Sequence, residues 1–588
     1  MAKGKSKDTK IKPLEDQPVK PCKPSKAEQL ALAVEAVTHD MITPPLELFH
    51  DPAKDTWAKV YVNDHYENWL VSSKSFRMLL ERRMREEMGC MPKKSEVKDA
   101  LRQIEGTALY DSPEQDVYLR TALHKIDSKP DRIFIDLCNA PWSTVEITPK
   151  GWTLQSSGTS PVKFRRFEGM HALPEPWEGG VNELQKLWDF VNVQDRNHQI
   201  LVLAWLVAAL RPSGPYPILC MTGSQGSAKT TSQTFLRNLV DPNITGVRQA
   251  PRDERDLSIS AMHSHIQGFD NFSCISNWLS DALCRLATGT GFATRKLYTD
   301  DDQIFFQGCR PIMLNGISQL AERADLCDRM IIIPLPKITA RKAHGQMLSQ
   351  FVKDRYRIFG GLLSACSTAL KNFPKVRKEE REKDELPRMA DFACWAIAAA
   401  PALGFTREEF LAAYEANRQE LRFVSLEHAT AVQGVIDWFN SDNRYHSPKN
   451  RNEWTGTCKD LLDAVGTGQY GLHGMTPRLL AAELKRAEPN LETVGLKWEE
   501  LKRQAGTGRR IHKLARIVPV EVKITPTNGE CENWLKHYMM KPRLAADVVA
   551  QSKFTQTATI EAAKALGIFV APETGQSWQQ ACWSAVTV

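Results

Sequence analysis

The sequence predicts an α/β fold for its central part, with a mixed α+β region before it and small helical units after it. Three patterns carry this prediction. Short apolar strands alternate with helices from Tyr216 to about Leu335, which is typical of a sheet covered by helices. A glycine-containing loop joins the first of these strands to the next helix. Runs typical of strands mix with helical periodicity over residues 45–180.

Composition shifts and Pro/Gly punctuation divide the chain into six segments. They are a disordered basic tail (1–28), an α+β domain (29–182), the central α/β domain with a preceding helix (183–340), a helical region with a charged linker (341–427), a unit of helices and a β-hairpin (428–525) and a terminal two-helix unit (530–588). Within them, residues 183–211 are predicted to be helical, and residues 375–385 to form a solvated helix or linker.

Length and composition exclude several classes of protein. The 588 residues are 42% hydrophobic, which is ordinary for a globular protein. The longest apolar run, residues 200–210, is 11 residues long, whereas a membrane span needs about 20. The 13 cysteines lack Cys-x-x-Cys spacing, and no apolar signal segment follows the N-terminus. We therefore expect a soluble, cytoplasmic protein with reduced thiols and no membrane partner.

The net charge of +7 is compatible with a nucleic-acid partner but does not indicate one by itself. Eight lysines against three acids lie within residues 1–26, so most of the excess belongs to the tail. Such a tail could contact a phosphate backbone or serve only to keep the protein soluble.

A phosphate-binding loop is the most specific motif. The predicted strand 218–222 precedes a match to G-x-x-x-x-G-K-[ST] with alanine in place of the last glycine. The candidate nucleotide-binding residues are Gly223, Ser224, Gln225, Gly226, Ser227, Ala228, Lys229, Thr230 and Thr231. Glycines let backbone N–H groups surround a phosphate, and the helix N-terminus adds partial positive charge. Lys229 would reach the β- and γ-phosphate oxygens of ATP, and Thr230 would ligate Mg²⁺.

Two qualifications apply to this loop. Ala228 is acceptable if its φ angle is negative, because a methyl group is small. The alternative interpretation of the loop is an ordinary Gly/Ser turn before a helix.

Polar residues follow the later strands of the central segment. Asp270 ends a strand and is the candidate carboxylate for the Mg²⁺ shell, with helix capping as its alternative. Asn271 stands where a second acid often polarises water, and an amide can only orient that water. Asn315 ends a third strand and could reach the γ-phosphate or the attacking water. Arg329, or Arg323, could act as a finger on a neighbouring subunit, or Arg329 could pair with Asp328 at the surface.

In this order, the elements resemble those of superfamily 3 helicases, the AAA+-type ring ATPases of viruses, phages and mobile elements, including the poxvirus-type primase–helicases. The resemblance rests on the loop 223–231, Asp270-Asn271 and the stretch 288–300 leading to residues 311–315. It implies an AAA+-like P-loop NTPase core and a homo-oligomeric ring such as a hexamer. It also implies a β-hairpin that grips DNA with Arg295 and Lys296, or an exposed hairpin face if they do not bind. Ala228 and Asn271 depart from the pattern.

The C-terminal units also look like DNA-binding modules of such proteins. Predicted helices followed by a basic hairpin are typical of a winged helix, in which Arg509, Arg510, Lys513 and Arg516 would lie near the wing and meet phosphates. A winged helix that binds only protein is the alternative. The terminal unit suggests a helix-turn-helix, with Lys564 exposed on its second helix.

These observations predict a Mg²⁺-dependent ATPase that acts as a DNA helicase or replication ATPase of a phage, plasmid or integrative element. Its expected partners are single-stranded or forked DNA and a separate primase or other replication proteins. A DNA-binding initiator or regulator that uses ATP as an assembly switch is the main alternative, and a P-loop module of an anti-phage or partitioning system is a third. The sequence offers no acidic triad suited to a primase, no defensible Ser/His/Asp array and no metal-binding histidine spacing.

Overall fold

A computed structural model gives the architecture of most of the chain. It describes residues 46–125, 131–272, 274–289, 292–295, 303–306, 308–316, 324–338, 343–383, 386–428, 430–441, 452–466, 475–501 and 510–517, with Leu472 and Arg503. The chain divides into two compact units, residues 1–516 and 517–588. The elements described here belong to the first unit. The predicted helix-turn-helix with Lys564 and the predicted basic tail both lie outside the described residues.

The N-terminal part is a mixture of helices and small sheets, which confirms the α+β prediction for this region. One antiparallel sheet and its two helices contain β1 (Glu47–His50), β2 (Thr56–Val62), β3 (His65–Leu70), α1 (Lys74–Met88) and α2 (Lys94–Tyr110). The remaining strands are β4 (Val117–Tyr118), β5 (Thr121–His124), β6 (Arg132–Asp136), β7 (Thr144–Thr148), β8 (Gly151–Gln155) and β9 (Lys163–Phe164). Strands β5 to β8 form an antiparallel sheet in chain order, and β4 pairs with β9.

A four-stranded parallel sheet lies at the centre of the molecule, with strand order β11-β14-β10-β15. Its strands are β10 (Ile218–Thr222), β11 (Gln267–Phe272), β14 (Ile312–Gly316) and β15 (Met330–Pro334). Because connections between parallel strands cross over a face of the sheet, both faces are covered by helices. The covering helices are α3 (Arg196–Ala209), α4 (Lys229–Asn238), α5 (Glu254–His263), α6 (Asn277–Thr288) and the short α7 (Ala324–Cys327).

The region predicted as one helix over residues 183–211 is instead two helices. A 3₁₀ helix (Val181–Asp189) ends before α3, which begins after Asp195. The Asp195 carboxylate accepts a hydrogen bond from the His198 N–H at 3.0 Å, a side-chain cap that starts a new helix. Among the described residues, no helix is both long and apolar enough to cross a bilayer.

The charged stretch 375–385, predicted to be a solvated helix or linker, is helical over its described residues, 375–383. Residues 375–385 begin inside α8 (His344–Lys383), which continues through Pro374. The stretch is not simply solvated, because the side chain of Glu380 is only 3% exposed and accepts two hydrogen bonds of 2.7 Å from Arg407. This pair fastens α8 to α10 (Arg407–His428), beyond α9 (Ala390–Leu403).

The C-terminal part of the first unit has the element order helix, strand, helix, helix, strand, strand. These elements are α11 (Thr430–Asn440), β16 (Glu453–Gly456), α12 (Cys458–Val465), α13 (Pro477–Leu491), β17 (Leu496–Glu500) and β18 (His512–Arg516). Helix α12 starts at Cys458, because Thr457 and Asp460 form a reciprocal cap. The preceding residues form β16, which pairs with β18.

Candidate functional site

The glycine-containing loop lies at the carboxyl end of β10 and leads directly into α4. Gly223 has a φ angle of +145°, and a Cβ atom placed there would lie 2.6 Å from the Leu335 carbonyl oxygen. Gly226 has a φ angle of +86°. Both positions therefore need glycine, the first because β15 passes close by and the second because of its backbone conformation.

Ala228 contradicts the expectation of a negative φ angle. It adopts the left-handed conformation, with φ +61° and ψ +33°, immediately before the first residue of α4. An L-residue with a Cβ atom pays about 1–2 kcal/mol in this region. The loop thus carries local backbone strain at the position where the motif usually has glycine.

Lys229, Thr230 and Asp270 meet at the carboxyl edge of the sheet. The Lys229 ammonium group donates to the carbonyl oxygens of Gly223 at 2.7 Å and Ser224 at 3.0 Å. The Thr230 hydroxyl donates to the Asp270 carboxylate, 3.1 Å from Oδ1 and 3.2 Å from Oδ2. Asp270 lies within β11 and does not cap a helix, so the capping alternative is wrong.

The described residues contain no group of three or more His, Cys, Asp or Glu side chains that could hold a metal ion. A Mg²⁺ ion needs no such group, since it commonly binds one or two protein oxygens together with substrate phosphates and water. Thr230 and Asp270 are the oxygen donors present here, and their contact places both beside Lys229.

Asn315 does not face the loop as the sequence suggested. Its side chain is buried, and both of its polar ends are used within the protein. Its Oδ1 accepts a hydrogen bond from the Asn271 N–H at 2.8 Å, and its Nδ2 donates to Gln233 Oε1 at 2.5 Å. Asn315 therefore positions the backbone beside Asp270, whereas the exposed side chain of Asn271 remains at the edge.

Gln233 is a site residue that the sequence analysis missed. It is fully buried on α4, and its amide nitrogen donates to the Phe269 oxygen at 3.2 Å and the Met313 oxygen at 3.0 Å. It thus joins the helix after the loop to β11 and β14. A polar residue four positions after Lys229, hence on the same side of the helix, was the signal available.

Asn192 braces the other side of the loop. Its Nδ2 donates to the Ser227 oxygen at 3.1 Å and the Pro336 oxygen at 2.7 Å. The Ser227 hydroxyl is buried and has no hydrogen-bond partner among the described residues. Ser224 and Gln225 are exposed, and Thr231 is half-buried at the start of α4.

The candidate arginine finger is engaged within its own subunit. Arg329 contacts the Asp325 carboxylate at 2.5 Å, and its side chain is 17% exposed. The expected surface pair with Asp328 is wrong, because Asp328 accepts a hydrogen bond from Arg388 at 2.8 Å. Arg323 lies outside the described residues.

A two-stranded hairpin lies between β11 and β14 along the chain, as the sequence predicted. It consists of β12 (Phe292–Arg295) and β13 (Gln303–Phe306), with Arg295 opposite Gln303. Arg295 thus ends the first strand of the hairpin, and Lys296 lies outside the described residues.

The C-terminal basic residues have separate environments. Arg510 precedes β18 and contacts Glu500 at 3.4 Å. Lys513 contacts Glu453 at 2.7 Å across the sheet, so it is tied to its own unit. Arg516 is not near the wing, because it pairs with Leu496 at the opposite end of the hairpin and donates to Asn440 at 2.9 Å. Arg509 lies outside the described residues.

Comparison with known proteins adds one informative match. Residues 182–422 match a family described as actinomycete integrative conjugative element replication protein. Two solved structures of the NrS-1 C-terminal region, both described as A form apo structures, are similar to 80% and 79% of this chain, covering 96% and 95% of their own chains. Their sequence identities are 10% and 12%, and their TM-scores of 0.34 and 0.33 are too low to establish a shared fold.

No curated protein matches the sequence. The family match covers the loop, Asp270, the hairpin and Arg329, but not the C-terminal part of the first unit or the second unit. The matched segment supports a replication protein of a mobile element.

Proposed function

We propose that the chain is a Mg²⁺-dependent ATPase that acts in DNA replication of an integrative element, with ATP bound by the loop 223–231. One observation carries the proposal. Thr230, which follows Lys229 in the chain, forms a hydrogen bond with Asp270, 40 residues away in sequence, at the carboxyl edge of a parallel sheet. Ligands of open α/β sheets bind at this edge.

The loop supplies the groups that a triphosphate needs. Free N–H groups at the start of α4 and the Lys229 ammonium would contact phosphate oxygens. Lys229 would exchange the carbonyl oxygens of Gly223 and Ser224 for these anionic oxygens, which form stronger hydrogen bonds. Thr230 and Asp270 would hold Mg²⁺, which neutralises charge on the β- and γ-phosphates when bound.

Hydrolysis between subunits of a ring belongs to the same proposal. An arginine from one protomer would stabilise the charge at the γ-phosphate of its neighbour. Arg329 can do so only after leaving Asp325, which occupies it within the subunit. Arg295 and Lys296 on the hairpin would contact DNA and couple hydrolysis to strand separation.

A second candidate function is a replication initiator or regulator that binds ATP as an assembly switch and unwinds nothing. The observation that favours it is Asn271, whose side chain is exposed beside Asp270 and cannot accept a proton from water as a carboxylate would. Strand displacement from a forked duplex separates the two candidates, because only the helicase releases the labelled strand.

The direct experiment is ATP hydrolysis by the full chain, with and without single-stranded DNA. We expect Lys229→Ala to reduce the rate by about 100-fold or more, in the range seen when a charge-stabilising group is removed. Lys150→Ala, which removes an exposed lysine from a turn of the N-terminal part, is the matched control and should leave the rate unchanged. Equal rates for Lys229→Ala and the wild type would refute the proposal.

A further inference from the structure

The C-terminal part of the first unit contains a large open cleft that no predicted role explains. Its volume is about 850 Å³, and it is bounded by the N-terminal ends of α12 and α13 and by strands β17 and β18. Thr457 caps the first of these helices, and Thr476 caps the second. The cleft therefore has two helix N-termini, with their partial positive charges, along its rim.

Basic side chains outnumber acidic ones along the walls of the cleft. Lys459 on α12 and Arg478 and Lys485 on α13 line it, and all three are exposed. None of them has a carboxylate within 4 Å among the described residues. This differs from Lys497 and Lys513 in the same unit, which contact Glu499 at 2.6 Å and Glu453 at 2.7 Å.

Two acidic residues also line the cleft, but neither neutralises these three cations. Glu500 contacts the fourth basic residue, Arg510, at 3.4 Å. Glu488 is exposed on α13 and forms no ion pair within 4 Å among the described residues. The four basic side chains therefore outnumber the two acidic ones, and the cleft has a net positive charge.

The floor of the cleft contains an unsatisfied polar group. His512 is 6% exposed and stacks on Trp498, with ring centroids 4.8 Å apart and an angle of 12° between the rings. Its Nδ1 atom has no hydrogen-bond partner among the described residues. Burial lowers the pKa of His512; the Glu500 carboxylate raises it, and the charges of Arg510 and Lys485 lower it further.

From these contacts we infer that the cleft binds the phosphate backbone of duplex DNA through Lys459, Arg478 and Lys485. Arg478 and Lys485 are seven residues apart on one helix, about 10 Å along its axis, which spreads the positive charge over more than one phosphate. A single small anion would need no such spread. The inference rests on the part of the proposed function in which the protein acts on DNA, but not on ATP hydrolysis.

An acidic peptide is the other polyanion that the charges would admit. The structure favours DNA, because the N-terminal ends of two successive helices meet in the cleft beside a hairpin. In helix-turn-helix proteins the corresponding ends approach the DNA backbone and bases. The peptide is therefore an outcome of the test rather than a second proposal.

The test uses the full chain without nucleotide and a labelled duplex, with affinity measured by fluorescence anisotropy over a range of salt concentrations. Each lost phosphate contact lowers the slope of log K against log salt by about 0.9. We expect Arg478→Ala/Lys485→Ala to reduce the slope by about 2 and to weaken binding by about tenfold or more. Arg82→Ala/Lys497→Ala removes the same charge from carboxylate-paired positions, beside Glu86 and Glu499, and should change neither quantity.

Three outcomes would overturn the inference. The first is an unchanged slope for the cleft variant, while the wild type binds DNA. The second is equal loss in both double variants, which would indicate a general charge effect. The third is that poly-glutamate displaces a probe bound at the cleft, whereas unlabelled duplex does not. A wild type that hydrolyses no ATP but passes this test would refute the ATPase proposal alone.

Discussion

The two ends of helix α4 handle charge in opposite ways. At its N-terminal end, Lys229 and Thr230 are accessible and contact carbonyl or carboxylate oxygens that a ligand could replace. At its C-terminal end, Arg237 and Asp241 are buried and belong to a closed network. The buried Arg120 of the N-terminal part donates to Asp241 Oδ1 at 3.0 Å.

The closed network satisfies every group that it buries. Asp241 Oδ2 accepts hydrogen bonds from the Ser264 hydroxyl at 3.0 Å and the Ile266 N–H at 2.9 Å. Burial alone would raise the pKa of Asp241, but the guanidinium groups of Arg120 and Arg237 lower it to about 2. We propose that one end of the helix serves stability and the other binding, and the following predictions test that division.

The largest expected effect is on stability. Asp241→Ala leaves the Arg120 guanidinium buried without its carboxylate, so we expect the free energy of unfolding to fall by about 3–5 kcal/mol. Chemical denaturation measures this, with Glu86→Ala, which breaks an exposed pair with Arg82, as the control of small effect. If both variants lose equally little, the network at this end is not a major source of stability.

The next effect is a pH dependence carried by His265, which is buried beside this network. Burial lowers its pKa to about 4, although the Asp241 carboxylate raises it. As pH falls from about 6.5 to about 4, the His265 imidazole therefore takes up its proton in the unfolded chain before it does so in the folded one. The contribution of His265 to the free energy of unfolding is thus fully present above this pH window and is lost within it. We expect a loss of about 2 kcal/mol between pH 7 and pH 5.

Denaturation at the two pH values checks this prediction. In His265→Gln the pH-dependent loss should shrink, whereas His171→Gln, at an exposed position, should keep it. An unchanged dependence in His265→Gln would show that other groups carry it.

A smaller effect is expected at Gln233, which connects helix α4 to strands β11 and β14. Gln233→Leu removes the partner of Asn315, so the Asn271 backbone should be less well positioned. We expect kcat for ATP to fall about tenfold with KM little changed. Gln267→Leu is the matched control, since Gln267 is an equally buried glutamine of β11 that contacts Ser260 and Ser264 instead.

Both glutamine variants lose buried hydrogen bonds and should lose about 1–3 kcal/mol of stability. If Gln233 has only a structural role, kcat should be the same in both variants. Equal kcat values would therefore contradict the positioning role.

The smallest effect concerns Ala228. Because its φ angle is +61°, Ala228→Gly should relieve strain and raise the free energy of unfolding by about 1 kcal/mol. The control Ala208→Gly, inside helix α3, should lower it by a similar amount or more. A lower stability for Ala228→Gly would mean that the methyl group packs well enough to offset the strain.

The sequence was informative where local rules decide the structure. The strand before Gly223 and the helix after Ala228 follow from periodicity and turn residues, whereas the hairpin of β12 and β13 was expected from the family resemblance. The helix beginning at Pro477, capped by Thr476, also follows from local residues. The strand and the two helices need only neighbouring residues, so a single sequence suffices to predict them.

The sequence was uninformative where distant partners decide. Nothing local shows that Glu380 would meet Arg407, so this one buried residue of an otherwise mostly exposed charged helix could not be predicted. The same holds for Asn315, whose partners are on α4 and β11, and for Arg329, whose choice of Asp325 over Asp328 depends on Arg388. The prediction of a negative φ angle for Ala228 was wrong for a related reason, because the surrounding loop imposes the left-handed conformation.

The central claim is that the loop 223–231 binds a nucleoside triphosphate through Lys229. Its most direct test is titration calorimetry of the full chain with a non-hydrolysable ATP analogue and Mg²⁺, comparing the wild type with Lys229→Ala. Loss of charge-assisted hydrogen bonds worth about 1.5–3 kcal/mol should weaken binding about 10- to 100-fold. Equal affinities, or no binding by the wild type, would contradict the account.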